Sequence, residues 1–273
     1  MAVLRGLATK AGAPARRPPR RRPSPSSLSS PSSRPPADFR FRLGSSTRER
    51  VFEGQFGAWR VEKEDEDEVF AYRLGLNVCA ASFGLLIPAS LLAPASLPGR
   101  DAVLNAAYTV GSLGFGTSLY FIHIYITPAK RFLQGLFLAG ALGSLFVLSR
   151  DGFGSVPGYV VEHPGSVWFV GPLFASITGV GFKEGVCYQK REAFALAALT
   201  PLLLLTHLTR AFGENSPAVE AGLCSIWSAT FLSFALSKWS QPVHEDIGDK
   251  SVFTFMKLPE KEQQRILKSR NEL

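Results

Sequence analysis

The sequence has few of the residues and none of the short motifs that usually mark an enzyme. Its three cysteines, Cys79, Cys187 and Cys224, form no CxxC pair and lie in or beside apolar blocks, so they indicate neither a disulfide framework nor a zinc site. It contains no GxSxG, HExxH, Walker loop or dinucleotide fingerprint. We therefore expect a protein that is not an enzyme and holds no metal.

Acidic residues are missing from the beginning of the chain, where none occurs before Asp38. This region is rich in Arg, Ser and Pro, which is typical of a transit peptide, and it lacks the continuous apolar core of a secretory signal. Its prolines would break the amphipathic helix of mitochondrial import, whereas the Met-Ala start and the serines favour a plastid. We predict a chloroplast transit peptide over residues 1–45, cleaved between 35 and 60; the alternative is a disordered tail that the mature protein keeps.

The net charge of +8 comes from this same segment. Of the 30 basic and 22 acidic residues in the chain, ten basic and one acidic lie in residues 1–45, which leaves 20 against 21 in the remainder. The mature protein is therefore nearly neutral, and a nucleic-acid partner is not indicated.

The rest of the chain contains long apolar blocks with almost no charge, and about 20 such residues form a helix that crosses a bilayer. A soluble helical protein would need polar faces at helical spacing, and these blocks have almost none. We predict an all-α polytopic membrane bundle of about six transmembrane helices, while the short later blocks leave five as the alternative. The predicted spans are 74–97, 103–126, 132–149, 166–182, 193–208 and 221–237.

Basic residues near the predicted spans are distributed unevenly between the two sides of the membrane. Lys and Arg stay on the side from which helices insert, and six spans put nine of them on one side and three on the other. Both termini then lie on the basic side, which in a plastid is the stroma. A polar stromal segment, 46–73, precedes the bundle, and a soluble tail with a short helix, 241–273, follows it. The basic side has Arg60, Lys63, Arg73, Lys130, Arg131, Lys183, Lys190, Arg191 and Lys238.

Ionisable side chains inside hydrocarbon are costly, so each one in a span is a functional candidate. His123 and His207 are each a candidate axial ligand for chlorophyll or haem. The alternative for both is a structural hydrogen bond to a backbone carbonyl.

Glu184 lies in the densest polar stretch near the membrane, GFKEGVCYQKREA. It is a candidate functional carboxylate that accepts a proton or binds a metal, and the alternative is a partner in structural ion pairs. The candidate partners on the same side are Lys130, Arg131 and Lys183.

Three stretches of the chain resemble a known family. They are YFIHIYITPAKRFLQ, GPLFASITGVGFKEGVCYQKREAFALAALTPLLLLTHL and SKWSQPVHEDIGDKSVF. They resemble the uncharacterised integral membrane protein family of cyanobacteria and plant plastids, the domain of unknown function numbered 2301, over roughly residues 68 to 255. The resemblance implies a chloroplast membrane, with the thylakoid favoured over the inner envelope, and it implies no activity, ligand or catalytic residue.

Three functional hypotheses follow. The first is a non-enzymatic accessory or assembly protein whose partners are the lipid bilayer and subunits of a photosynthetic complex. The second is a small-solute or ion transporter, although we find no repeated halves. The third is a membrane enzyme with Glu184 as its base, for which the sequence offers no partner residue.

Overall fold

The described part of the chain is mainly α-helical, which confirms the predicted class of a polytopic helix bundle. The computed structural model describes residues 50–94, 96–150, 154–213 and 216–271, and the predicted transit peptide over 1–45 lies outside them. A two-stranded antiparallel hairpin comes first, with β1 over Val51–Gly54 and β2 over Gly57–Arg60. The helices are α1 Lys63–Ala81, α2 Ile87–Leu92, α3 Arg100–Phe121, α4 Thr127–Arg150, α5 Val156–Glu162, α6 Val167–Tyr188, α7 Arg191–Thr209, α8 Ser216–Ser237, α9 Val243–Ile247, α10 Lys250–Met256 and α11 Glu260–Asn271.

Five helical segments of the described chain are long and apolar enough to cross a membrane. The first includes α1, a π-helical turn and α2, and the others are centred on α4, α6, α7 and α8. Helix α3, which contains most of the predicted span 103–126, is also long, but Asn105, Ser112, Thr117 and Ser118 make it less apolar than those five. The five segments are Lys63–Leu92, Thr127–Arg150, Pro164–Tyr188, Arg191–Thr209 and Ser216–Ser240.

Helix α3 packs antiparallel to α1 through small residues that let the two backbones approach closely. A Cβ atom on Gly114 would lie 2.8 Å from the carbonyl oxygen of Gly75, which is too close for any residue larger than glycine. The Ser118 hydroxyl donates to the Tyr72 carbonyl oxygen at 2.7 Å. Ser118, one of the polar residues that make α3 less apolar, thus also bonds α3 to α1.

The same type of packing joins α4 to α6 and α6 to α7. Cβ atoms on Gly140 and Gly143 would overlap the backbone of α6, and the Ser176 hydroxyl donates to the Leu133 carbonyl oxygen at 3.0 Å. Gly181 places α6 close to the backbone of α7. Between these helices lies a single apolar core, whose largest buried side chains include Phe115, Leu173, Ile177, Leu196, Phe231 and Phe234.

One end of the bundle is covered by a small folded unit that the sequence pattern did not predict. We call this unit, formed by β1, β2, α9 and α10, the cap, and the end that it covers the cap end. The backbone amide of Phe56 donates to the Ser251 hydroxyl at 2.9 Å, and its ring stacks on Phe255 with 3.8 Å between centroids. Val61, Val69 and Ile247 form a separate apolar cluster below the hairpin. Residues 50–73 of the polar segment and the first part of the tail are therefore folded together.

Replacing Gly143 with alanine tests the close packing of α4 on α6. We expect Gly143→Ala to destabilise the protein by about 1–3 kcal/mol, because the added methyl overlaps the Phe169 backbone. Gly135→Ala, in the same helix, is the matched control, since a Cβ there meets nothing within 4 Å. Thermal unfolding in detergent measures both, and an equal loss in the two variants would contradict this packing.

Candidate functional site

Glu184 is a completely buried carboxylate near the end of α6. Gly181 and Gly185 on either side of it let the backbone of Ala193 and the ring of Phe194 approach α6, which removes this face of the helix from lipid. The carboxylate accepts three hydrogen bonds. Oε1 accepts from Lys183 Nζ at 2.7 Å and from the Tyr72 hydroxyl at 3.0 Å, and Oε2 accepts from Lys238 Nζ at 2.7 Å.

Lys238 provides the cation that the sequence did not connect to Glu184. It lies in a 3₁₀ turn directly after α8 and has no exposed surface. Besides Glu184, its ammonium group donates to the Gln241 side-chain carbonyl at 2.8 Å and to the Asp246 carboxylate. It also lies 5.4 Å from the ring centroid of Tyr72 and 5.2 Å from that of Tyr188, within the range of cation–π attraction.

Arg73 on α1 binds the other side of Asp246. Its Nε donates to Asp246 Oδ2 at 2.7 Å, and its Nη2 donates to the Gln241 backbone carbonyl at 2.7 Å. Five alternating charges thus form a row, which we call the ion chain. Its members, in order, are Lys183, Glu184, Lys238, Asp246 and Arg73. It joins α1, α6, the end of α8 and α9 of the cap.

The ion chain has a structural consequence and a chemical one. Charges removed from water are stable only when paired and fully hydrogen-bonded, so Asp246 must stay next to Lys238 and Arg73. The ion chain therefore determines where the cap lies on the bundle. Both oxygens of Glu184 already accept bonds from cations or a phenol, which suits a partner in ion pairs better than a base.

The other predicted residues near Glu184 lie elsewhere at the cap end. Lys183 is a partner of Glu184, as expected, whereas Lys130 Nζ donates to the Tyr120 carbonyl oxygen at 2.7 Å and Arg131 is exposed. His123 Nε2 lies 3.2 Å from a carboxylate oxygen of Glu68 at the beginning of α1. Burial lowers the pKa of His123, and the Glu68 carboxylate opposes that shift.

His207 lies at the opposite end of the bundle, where both of its ring nitrogens face acceptors. Nδ1 is 2.6 Å from Glu220 Oε2, and Nε2 is 2.8 Å from the Val160 carbonyl oxygen. A pigment or haem ligand needs one free imidazole nitrogen, so His207 would have to break one of these bonds first. Within the described residues, no three His, Cys, Asp or Glu side chains come together in a way that could hold a metal ion.

Comparison with known proteins agrees with the membrane architecture. The family described as "Uncharacterized integral membrane protein (DUF2301)" matches residues 117–255, just over half of the chain. The match extends from the end of α3 to α10, so it includes Glu184, Lys238 and Asp246 and omits Arg73. No curated protein and no solved structure matches the chain.

Replacing Lys238 with methionine tests the ion chain. We expect Lys238→Met to cost about 3–5 kcal/mol, because Glu184 and Asp246 lose the cation that they share while remaining buried. Lys190→Met is the matched control; it removes a half-buried ammonium group whose hydrogen bond, to the Ser237 hydroxyl at 3.2 Å, is to a neutral partner, and it should cost less than about 1 kcal/mol. Denaturant unfolding in detergent compares the two; similar losses would show that the buried charges do not depend on Lys238.

Replacing His207 tests the junction of α5, α7 and α8. His207→Leu removes both hydrogen bonds and leaves the Glu220 carboxylate without its closest donor, so amide hydrogen exchange over 156–166 should become at least several-fold faster. Thr209→Val is the control, since the Thr209 hydroxyl bonds only within its own helix, to the Leu205 carbonyl oxygen. Unchanged exchange in the His207 variant would mean that other contacts hold α5.

Proposed function

We propose that this chain, which belongs to the integral membrane protein family DUF2301, is an accessory or assembly protein of a chloroplast membrane that presents its C-terminal segment to a protein partner. The observation that carries the proposal is the ion chain. It fixes a folded cap on one end of a membrane bundle through charges that are buried and paired with one another. A membrane protein needs such a rigid support if its soluble segment is to hold a partner in a defined orientation.

The terminal helix α11 is the element that this support presents. Its first turn carries Glu260 and Glu262 and its last turn Lys268 and Arg270, so its charges suit the helix dipole. The Gln263 side chain donates to the Leu258 carbonyl oxygen at 2.8 Å, and the Arg270 guanidinium lies 5.2 Å from the ring centroid of Phe56 in the hairpin. The helix is thus bonded near its beginning to the linker that joins it to α10 and contacts the cap near its end, while most of its surface stays exposed.

The composition of the chain supports a plastid membrane with both termini in the stroma, and the family resemblance favours the thylakoid. The Arg, Ser and Pro content of residues 1–45 favours import into a plastid. The excess of Lys and Arg on the cap end favours the side from which helices insert, which is the stroma. Subunits of a photosynthetic complex are the partners that fit this location.

A small-solute or ion transporter is the second candidate, because Glu184 and Lys238 are ionisable, lie at the ends of membrane helices and have no exposed surface. A transport site must bind and release its ion, however, and these two groups are bonded to each other at 2.7 Å. Complete mutual pairing favours a permanent structural role, so we place the accessory function first.

Removing α11 alone tests the proposed function. A chain that stops after Lys257 keeps the cap and the ion chain, so it should insert and unfold like the full protein, yet it should lose its partners on native gels of thylakoid membranes. A chain that stops after Ser240 is the comparison, because it also lacks Asp246 and should be unstable.

A partner complex that survives removal of α11 in full amount would contradict docking through the tail. A separate assay tests the second candidate: purified protein that carries an ion or metabolite across vesicle membranes, and stops doing so in the Glu184→Gln variant, would favour transport.

A further inference from the structure

A cleft at the cap end is separate from the ion chain and has no part in the proposed docking. It lies between the end of α3, the beginning of α4 and α10, and its volume is about 470 Å³. Its lining combines cations, a histidine, an amide and aromatic rings. The polar and aromatic residues that matter for binding are Tyr120, His123, Lys130, Arg131, Gln134 and Phe253.

Two of the polar side chains in the cleft are held in place by the last turn of α3. Lys130 Nζ donates to the Tyr120 carbonyl oxygen at 2.7 Å, and Gln134 Nε2 donates to the Leu119 carbonyl oxygen at 3.1 Å. Both groups have further N–H donors, since an ammonium group has three and an amide has two. Lys130 and Gln134 are therefore held in position and still have N–H donors that take no part in these two bonds.

The charge of the cleft is positive. Lys130 and Arg131 are its two cations, and its one carboxylate, Glu68, faces His123 at 3.2 Å. The carboxylate thus already has His123 as a neighbour, and Arg131 is exposed. An anion entering this cleft would meet more positive than negative charge.

The position of the cleft relative to the bilayer indicates which anion can reach it. Tyr120 and Phe132, next to the two cations, are 69% and 65% exposed, as is typical of aromatic residues at the level of lipid headgroups. Below them, Leu138 and Leu142 on α4 are also exposed and can face acyl chains. The cleft thus opens towards both the headgroup layer and the hydrocarbon.

We propose that this cleft binds the headgroup of an anionic membrane lipid, with Lys130 and Arg131 pairing with its negative group and Gln134 donating a hydrogen bond. Basic pockets between membrane helices on the side of insertion recognise lipid headgroups in this way. The lipid chains would lie against the apolar surface of α4. Lys130 and Arg131 would then bind lipid instead of pairing with Glu184.

Lipid titration of the purified full chain tests this site, with native mass spectrometry as the readout and phosphatidylglycerol and phosphatidylcholine as probes. We expect phosphatidylglycerol to bind more tightly, and the double variant Lys130→Gln/Arg131→Gln to weaken it about tenfold or more. Lys190→Gln/Arg191→Gln is the matched control, because it removes the same charge from the same end of the bundle outside the cleft. Arg131→Gln alone should weaken phosphatidylglycerol binding less than the double variant. Because Arg131 is exposed, this single variant still tests the site if the double variant is unstable.

Three results would overturn the proposal. Equal weakening in the two double variants would indicate a general surface charge effect. Equal binding of phosphatidylglycerol and phosphatidylcholine would exclude recognition of the anionic group. Displacement of the lipid by millimolar inorganic phosphate would indicate a site for a free anion.

Discussion

The placement of Lys238 between two carboxylates is the constraint on which the cap end depends. An ammonium group with no exposed surface is stable only because Glu184 and Asp246 approach it from different elements. Glu184 belongs to the membrane bundle and Asp246 to the cap, so one cation connects the two. Arg73 extends the same connection to α1. Apart from these pairs, α9 is held by the small apolar cluster around Ile247 and by the stacking of His244 on Phe52.

The ion chain in turn requires close helix packing. Lipid is as apolar as leucine, so membrane helices associate through fitted surfaces and interhelical hydrogen bonds rather than through exclusion of water. Gly75 and Gly114 bring α1 against α3, and Gly181 brings α6 against α7. Asn77 adds a bond from α1 to the Ala235 carbonyl oxygen of α8 at 2.9 Å. These contacts hold the helices in positions from which Arg73 can reach Asp246 and Glu184 can reach Lys238.

The sequence predicted the parts of this structure that depend on local pattern. Long apolar blocks predicted the helix bundle, and adjacency alone connected Lys183 with Glu184. Lys238 and Asp246 were not recognised as site residues, because they lie 54 and 62 positions after Glu184 and only folding brings them together. The hairpin was also missed, since a polar approach segment with acidic residues shows no strong alternation; its pairing depends on contacts with α10.

The completeness of the bonding at Glu184 indicates where function should be sought. A catalytic or transporting carboxylate must exchange partners, whereas each oxygen of Glu184 is occupied by a donor from its own chain. Side chains of α11 and of the cleft at Lys130 and Arg131 keep open surface on which a partner could bind. Both lie at the cap end. A protein partner bound to α11 and an anionic lipid bound in the cleft would therefore meet the molecule on the same side of the membrane, and the ion chain would hold the surface that both contact.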